Sequence, residues 1–139
     1  MTFIDLHTHS TASDGTDSPT ELVRKAAQAH LAVLALTDHD TLAGLEEAEQ
    51  EAKRQNMGFV RGCEISTATP WGEAHFLGLW IPEKGEKTAL LEAELEKVRQ
   101  QRKERNLRIA EKLRTLGFDV SYEAAAALAG GTVVGRPHF

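Results

Sequence analysis

A continuous apolar run over residues 31–37 constrains the fold of this chain more than any other segment. A strand that is apolar on both faces needs a covering layer on each side, which is the usual situation in parallel sheets. The run leads directly into Asp38-His39-Asp40, and charged groups at such a boundary are costly to bury without partners. We therefore predict a strand that is buried on both faces, with a functional group at its carboxyl end.

Strand and helix patterns alternate around this run. Asp17 or Ser18 can cap the first predicted helix, and Gly58 is the predicted stop of the second. The order of elements is typical of an α/β barrel or of a layered α/β sheet. The predicted elements are a strand over 2–7, a helix over 19–30, the apolar strand, a helix over 42–56, and strands over 59–66 and 74–81.

The pattern changes in the second half of the chain, where one long, highly charged helix is predicted over 87–116 and ended by Gly117. Its stretch 97–105 is interpreted as a solvated helix face, with a contact to a nucleic-acid backbone as the alternative. Ser121 is the predicted cap of a last, alanine-rich helix that breaks at Gly130-Gly131. The residues of the long helix predicted to face inward are Leu91, Leu95, Val98, Ile109 and Leu113.

Composition narrows the class of protein. The 139 residues carry a net charge of −5, so the chain lacks the basic footprint of a bulk nucleic-acid binder. No apolar run approaches the roughly 20 residues that cross a bilayer, and the first residues lack the features of a signal peptide. We therefore expect a cytoplasmic chain with no membrane association, and no protein partner is indicated. Cys63, the single cysteine, excludes an internal disulfide and is expected to be a buried thiol.

Two histidines close the first predicted strand. Alternation along an extended backbone places His7 and His9 on the same side, so that two imidazoles can hold one cation. Asp14 follows on a loop that contains glycine. A lone His-x-His pair is common at surfaces and in cores, but its position at a strand end beside Asp14 favours a metal site.

The charged group after the apolar strand adds another candidate ligand. In barrel folds the ends of successive strands open onto one face, so we expect His39 to approach Asp14 and the histidine pair. Asp38 is predicted to be a neighbour of His39 or to orient it, because ligating imidazoles usually donate their other ring proton to a carboxylate or carbonyl. Asp40 is predicted to cap the following helix, with a role in the site as the alternative.

The third candidate group lies on the last two predicted strands. If Pro70-Trp71-Gly72 forms the tip of a hairpin, Glu64 and His75 fall nearly opposite each other and face one site. A carboxylate in the apolar surroundings of Glu64 is rarely buried unless it is paired or bound to metal. Glu73 is expected to be merely exposed.

The mixed imidazole and carboxylate donors suit zinc, manganese or iron better than calcium. Glu64 has two oxygens and is the natural bridge between two cations. Two metals that a carboxylate bridges lie a few ångströms apart, and such a pair can activate a water and clamp a phosphoryl group. Arg136, in a rigid segment near the carboxyl end, is a weaker candidate for holding a phosphate through two parallel hydrogen bonds. His30 is assigned no catalytic role, and Cys63 is a poor nucleophile in apolar surroundings.

Taken in order, these motifs resemble the polymerase and histidinol phosphatase (PHP) family of metal-dependent phosphoesterases. They are Asp5-Leu6-His7-Thr8-His9-Ser10 with Ser13-Asp14-Gly15, then Thr37-Asp38-His39-Asp40, then Gly62-Cys63-Glu64-Ile65-Ser66, and then His75. The closing Gly135-Arg136-Pro137-His138-Phe139 is similar to a segment of a bacterial subgroup. That subgroup hydrolyses nucleoside 3′,5′-bisphosphates and trims short RNA from the 5′ end.

The resemblance implies a distorted seven-stranded α/β barrel with up to three divalent metals, most often manganese, at the carboxyl ends of the strands. It implies that His7 and His9 hold the first metal, that Glu64 bridges to a second metal held by His75, and that Asp14 and His39 hold the third. Arg136 and His138 match positions that grip the phosphates of a small phosphorylated substrate, a nucleotide or the end of a short RNA.

The same resemblance implies that further ligands lie beyond the matched region. Residues 1–82 are then expected to form the amino-terminal half of the barrel, and residues 83–139 a helical segment that leads into the remainder. An edge strand should lack a partner. Two other functions are weighed against a phosphoesterase: a metal-dependent amidohydrolase, which usually has a bridging lysine in place of Glu64, and a non-catalytic metal-binding module.

Overall fold

The computed structural model describes residues 3–130 and 133–139, and it has an α/β fold, as predicted. Thr2 and Gly131, which belong to predicted elements, lie outside the described residues. The elements are β1 (Phe3–Thr8), α1 (Pro19–Gln28), β2 (Leu31–Leu36), α2 (Leu45–Arg54), β3 (Gly58–Thr69), β4 (Gly72–Leu79), α3 (Glu86–Thr115) and α4 (Tyr122–Ala129), followed by one 3₁₀ turn, Arg136–His138.

The four strands form one mixed sheet in the order β1-β2-β3-β4. The first three strands are parallel, and β3 pairs with β4 in an antiparallel hairpin whose two-residue tip is Pro70-Trp71. Within the described residues, β1 and β4 are the outer strands and each has one open edge. This agrees with the expectation of a partial barrel.

The main core lies between β2 and the helices α1 and α2. Val23, Leu34, Leu36 and Leu45 are almost completely buried there. Only the second half of β2 is fully buried, because Leu31 to Val33 retain partial exposure. The prediction of a strand buried on both faces is therefore correct only for the end of β2 that leads to the charged group.

The ends of the first two helices follow from local chemistry. Ser18 caps α1 through a capping box with Glu21, as predicted for one of the two candidate caps. The prediction of Gly58 as the stop of α2 is wrong. The helix ends at Arg54, and Asn56 turns the chain at a φ of 52°. Gly58 opens β3, where an added Cβ would lie 2.9 Å from Val33 Cγ2.

Helix α3 extends over 30 residues and packs through Leu95 against Cys63 and Ile81. Its inward face also carries Arg99 and Arg102, so the interpretation of 97–105 as a solvated face is wrong for these two side chains. Ser121 caps α4, and Gly130 ends it at a φ of 60°. None of the helices in the described part of the chain is both long enough and apolar enough to cross a membrane.

Candidate metal centre

Two imidazoles from the end of β1 converge on one carboxylate oxygen. His7 Nε2 lies 2.8 Å from Glu64 Oε2, and His9 Nε2 lies 3.0 Å from the same oxygen. The ring centroids of His7 and His9 are 5.1 Å apart. The alternation of β1 therefore brings the two histidines to the same side, as expected from the sequence.

Glu64 is fixed by its backbone as well as by its side chain. Its N–H donates to the carbonyl oxygens of Thr37 and Asp38, and its own carbonyl accepts from the N–H of Asp40. These bonds attach β3 to the segment that follows β2. Burial by itself would raise the pKa of Glu64, but the hydrogen bond from His7 and the nearby histidines outweigh it and lower the pKa.

The second oxygen of Glu64 faces the hairpin. His75 Nδ1 lies 3.0 Å from Glu64 Oε1. The strand register pairs His75 with Ser66 and pairs Glu64 with Leu77, so Glu64 and His75, which were predicted to fall nearly opposite each other, are offset by two residues. The two side chains still share one face of the sheet, because diagonal neighbours across two strands remain within reach of long side chains.

A third group forms around Asp14. His39 Nε2 lies 3.6 Å from Asp14 Oδ2, and His9 Nδ1 lies 3.7 Å from Asp14 Oδ1. The rings of His9 and His39 are stacked at 4.8 Å, and His39 meets His75 edge to face at 5.0 Å. The structure thus brings six of the predicted site residues together: His7, His9, Asp14, His39, Glu64 and His75.

These six residues form three overlapping groups in which the candidate ligand atoms lie within 4.8 Å of one another. Among the described residues, Nδ1 of His9 and Nδ1 of His39 are buried and have no hydrogen-bond partner. Burial also lowers the pKa of His39 despite the attraction of Asp14 and Glu64, which favours the neutral ring that binds metal. Both observations fit a site for divalent cations. The groups are His7-His9-Glu64, His9-Asp14-His39 and His39-Glu64-His75.

Asp38 positions the loop that carries Asp14 and does not orient His39 as predicted. Its carboxylate accepts from the N–H and the hydroxyl of Ser10, at 2.7 and 2.6 Å, and from the hydroxyl of Ser13 at 2.6 Å. Burial raises the pKa of Asp38, against the opposing effect of these hydrogen bonds. The loop is also tight at Gly15, where an added Cβ would lie 2.4 Å from the carbonyl oxygen of His9.

Asp40 does not cap α2, and the predicted capping role is wrong. The N-cap of α2 is Gly44, whereas the fully buried Asp40 carboxylate accepts from Ser66 N at 2.7 Å and from Arg102 Nη2 at 2.8 Å. Arg99 donates to the carbonyl oxygen of Asp40 at 2.7 Å. Helix α3 therefore supports the segment that carries His39. Sequence reasoning missed both arginines, although their spacing of three residues on the inward face of α3 could have indicated them.

The closing segment lies beside Asp14. An added Cβ on Gly135 would lie 3.4 Å from Asp14 Oδ2. His138 turns back on its own backbone, and its Nδ1 accepts from the Gly135 N–H at 2.9 Å. Arg136 is largely exposed and lies 3.5 Å from Glu73. Glu73 is exposed, as expected, but it also pairs with Arg105 at 3.3 Å.

Comparison with known proteins places these residues in a family. The model of the family described as PHP domain matches residues 5–121. A 5′-3′ exoribonuclease of Haemophilus influenzae is 44% identical over 136 residues, which cover 97% of this chain and 48% of the relative. A 3′,5′-nucleoside bisphosphate phosphatase of Chromobacterium violaceum is 37% identical, over 100% of this chain and 48% of the relative.

A solved structure gives the same result for the fold. An amidohydrolase from Chromobacterium violaceum, solved with bound sulfate and no metal, superposes with a TM-score of 0.89 at 35% identity. The match covers 97% of this chain and 47% of that structure. The chain thus spans about half the length of the curated relatives it matches. This supports the expectation that it supplies roughly the first half of a larger α/β barrel.

Proposed function

This chain belongs to the PHP domain family, and on that premise we propose that it carries part of the active site of a metal-dependent phosphoesterase that hydrolyses a phosphate ester of a nucleotide. The proposed substrate is a nucleoside 3′,5′-bisphosphate or the 5′ end of a short RNA. The names of the two curated relatives support this substrate class. A cytoplasmic location is proposed with it, because nucleotides and RNA are turned over there.

The observation that carries the proposal is that the two oxygens of the Glu64 carboxylate face different histidines. Oε2 faces His7 and His9, whereas Oε1 faces His75. A carboxylate with imidazoles at both oxygens is the arrangement expected of a ligand shared by two cations. We therefore propose that His7, His9 and Glu64 hold one metal, that Glu64 and His75 hold a second, and that Asp14 and His39 hold a third.

Manganese is the proposed metal, with zinc or iron as alternatives, because mixed nitrogen and oxygen donors suit all three. When bound, such cations lower the pKa of a water and offset the charge of the phosphoryl group. The chain itself supplies the rigid support. Asp38 fixes the loop of Asp14, and Asp40 with Arg102 fixes the segment of His39.

We propose that Arg136 and His138 contribute to holding the substrate. The position of Gly135 against Asp14 supports this, because the segment then borders the proposed third metal. Arg136 would have to exchange its contact with Glu73 for one with a phosphate. We also propose that 1–82 and 83–139 are separate segments, the first forming the half-barrel and the second leading out of it.

Two alternatives are kept because specific observations favour them. The solved relative named as an amidohydrolase supports hydrolysis of an amide. The half-length match supports a metal-binding module whose catalysis needs further ligands.

A single comparison separates these functions. The chain and a full-length protein that contains it are loaded with manganese, their metal content is measured, and both are assayed with a nucleoside 3′,5′-bisphosphate and with a cyclic amide. We expect both to bind metal and the full-length protein to release inorganic phosphate from the bisphosphate only. Bound metal with no turnover would indicate the module, turnover of the amide would indicate the amidohydrolase, and absence of bound metal would overturn the proposal.

A further inference from the structure

An arginine-rich cavity lies between the β3–β4 hairpin and α3. It has a volume of about 550 Å³, which is within the range of small-molecule sites in proteins. Residues of the hairpin, including Ser66, Thr67 and Thr69, line one side. The guanidinium groups that line it belong to Arg102, Arg105, Arg108 and Arg136. This cluster of positively charged side chains contrasts with the net charge of −5 of the chain.

The charges in this cavity do not balance. Arg102 is occupied by Asp40. Arg105 and Arg136 share a single carboxylate, Glu73, at 3.3 and 3.5 Å. Arg108 forms no ion pair within the described ranges, 3–130 and 133–139. Three guanidinium groups thus face one carboxylate, and the cavity has an excess of positive charge that suits an anionic ligand.

The cavity borders the metal centre. Ser66 lines the cavity and pairs across the hairpin with His75. Glu73 lies two residues before His75 on β4, so both side chains project from the same face of the hairpin. A nucleotide chain with one phosphate at the metals could therefore extend directly toward these arginines.

An exposed aromatic side chain stands at the tip of the hairpin. Trp71 is 93% exposed and lies in the two-residue tip between Thr69 and Gly72, both of which line the cavity. Basic grooves with an adjacent aromatic side chain bind single-stranded nucleic acids, because the arginines contact phosphates and the aromatic ring stacks on a base.

We propose that this cavity binds the nucleotide next to the one whose phosphate is hydrolysed, with Arg105 and Arg108 contacting its phosphate and Trp71 stacking on its base. The inference rests on the proposed phosphoesterase function and deepens it, because it favours a short single-stranded RNA over a mononucleotide. Glu73 then competes with the phosphate for Arg105 and Arg136.

Binding of RNA can be measured without hydrolysis. Fluorescence anisotropy of a 3′-fluorescein RNA tetranucleotide, in EDTA, reports the affinity of the chain. The double variant Arg105→Gln/Arg108→Gln should bind at least about tenfold more weakly, because each arginine loses charge-assisted hydrogen bonds to the phosphate. The magnitude of the slope of log K against log salt should fall by about 0.7, because both arginines contact a single phosphate, which the double variant no longer neutralises.

Three further variants test the parts of the site. Lys112→Gln/Arg114→Gln removes the same charge from α3 outside the cavity and should bind like the original chain. Trp71→Ala should weaken binding by about tenfold, within the usual range for loss of base stacking. Glu73→Gln should tighten binding severalfold, because it removes the competing carboxylate.

Each outcome decides a separate point. Unchanged affinity in the Arg105/Arg108 variant, or an equal loss in the Lys112/Arg114 variant, overturns the phosphate site. Unchanged affinity in Trp71→Ala overturns the stacking contact. Either result leaves the proposed function standing, because that function is tested separately, by metal binding and by hydrolysis of the bisphosphate in the manganese-loaded protein.

Discussion

Glu64 on β3 and His75 on β4 are two residues out of register, yet Oε1 of Glu64 lies 3.0 Å from Nδ1 of His75. Because this diagonal contact uses only one carboxylate oxygen, the other is left to His7 and His9 at the end of β1. Glu64 thereby connects the hairpin to the first strand of the parallel part of the sheet. Removal of the Glu64 charge should therefore weaken binding of both the metal held with His7 and His9 and the metal held with His75.

Glu64→Gln keeps the size of the side chain but replaces the anionic oxygen pair with a neutral amide. Changes to residues that merely support a ligand commonly weaken metal binding about 10- to 100-fold, so the loss of a bridging ligand should exceed that range. Titration with manganese, followed by elemental analysis, measures the affinity and the number of ions. His30→Ala, outside the centre, is the control. Full metal content in Glu64→Gln would show that the bridge is misassigned.

Gly15→Ala should weaken the metal held by Asp14 and His39. The new Cβ would lie 2.4 Å from the carbonyl oxygen of His9, so the backbone of the loop must move and carry Asp14 with it. Gly78→Ala is a matched control, because its Cβ would meet only ordinary contacts at 3.7 Å. Metal stoichiometry compares the two variants. Equal stoichiometry would mean that the loop of Asp14 tolerates displacement without loss of the metal.

The convergence of the ligand-bearing segments could be predicted from local patterns. Alternation along a strand places His7 and His9 on one side, and parallel strands bring their carboxyl ends to one edge. These rules require only that each segment is correctly assigned as a strand, a helix or a loop. They are sufficient to bring His39 toward Asp14 before any tertiary contact is known.

The supporting contacts could not be predicted in the same way. Arg102 reaches Asp40 across 62 residues of sequence, and helical periodicity does not specify which strand a helix crosses. The register of the hairpin is set by its two-residue tip, Pro70-Trp71, which pairs Glu64 with Leu77 and makes His75 a diagonal neighbour of Glu64. The turn residues alone did not specify this tip length. Asp40 was predicted to cap the next helix because an aspartate after a strand can either cap a helix or accept hydrogen bonds from distant residues. The local sequence is the same in both cases.

Asp40→Asn should destabilise the fold. The change leaves Arg102 without its carboxylate in a largely buried position, and loss of one partner of a buried ion pair typically costs about 3–5 kcal/mol. Denaturation by urea measures the free energy of unfolding. The double variant Asp40→Asn/Arg102→Leu should lose less than the sum of the two single variants, because neither charge is then left alone. Additive losses would contradict a direct ion pair.

Glu51 should make stability depend on pH in the acid range. Hydrogen bonds from Arg24, Gln55 and Arg54 lower its pKa from 4.5 to about 2. Because the folded pKa is the lower one, the ionised carboxylate stabilises the folded state above about pH 4.5, and this contribution is lost as the pH falls through about 2. The stability difference between the original chain and Glu51→Gln should therefore be constant near neutrality and shrink toward pH 2. A difference that stays undiminished at pH 2 would exclude this linkage.

Cys63 should be inert in the folded protein. Burial, with a smaller effect from the charge of Asp40, raises the pKa of its thiol to about 12, and its Sγ donates to the carbonyl oxygen of Asp38 at 3.4 Å. Because the thiolate is the reactive form, modification by a disulfide reagent at pH 8 should be slow in buffer and fast in denaturant. Removal of metal should leave the rate low, since the thiol packs against Leu95 and Ile81 and away from the ligands. Rapid modification of the folded, metal-free chain would mean that the core between β3 and α3 opens when the metals leave.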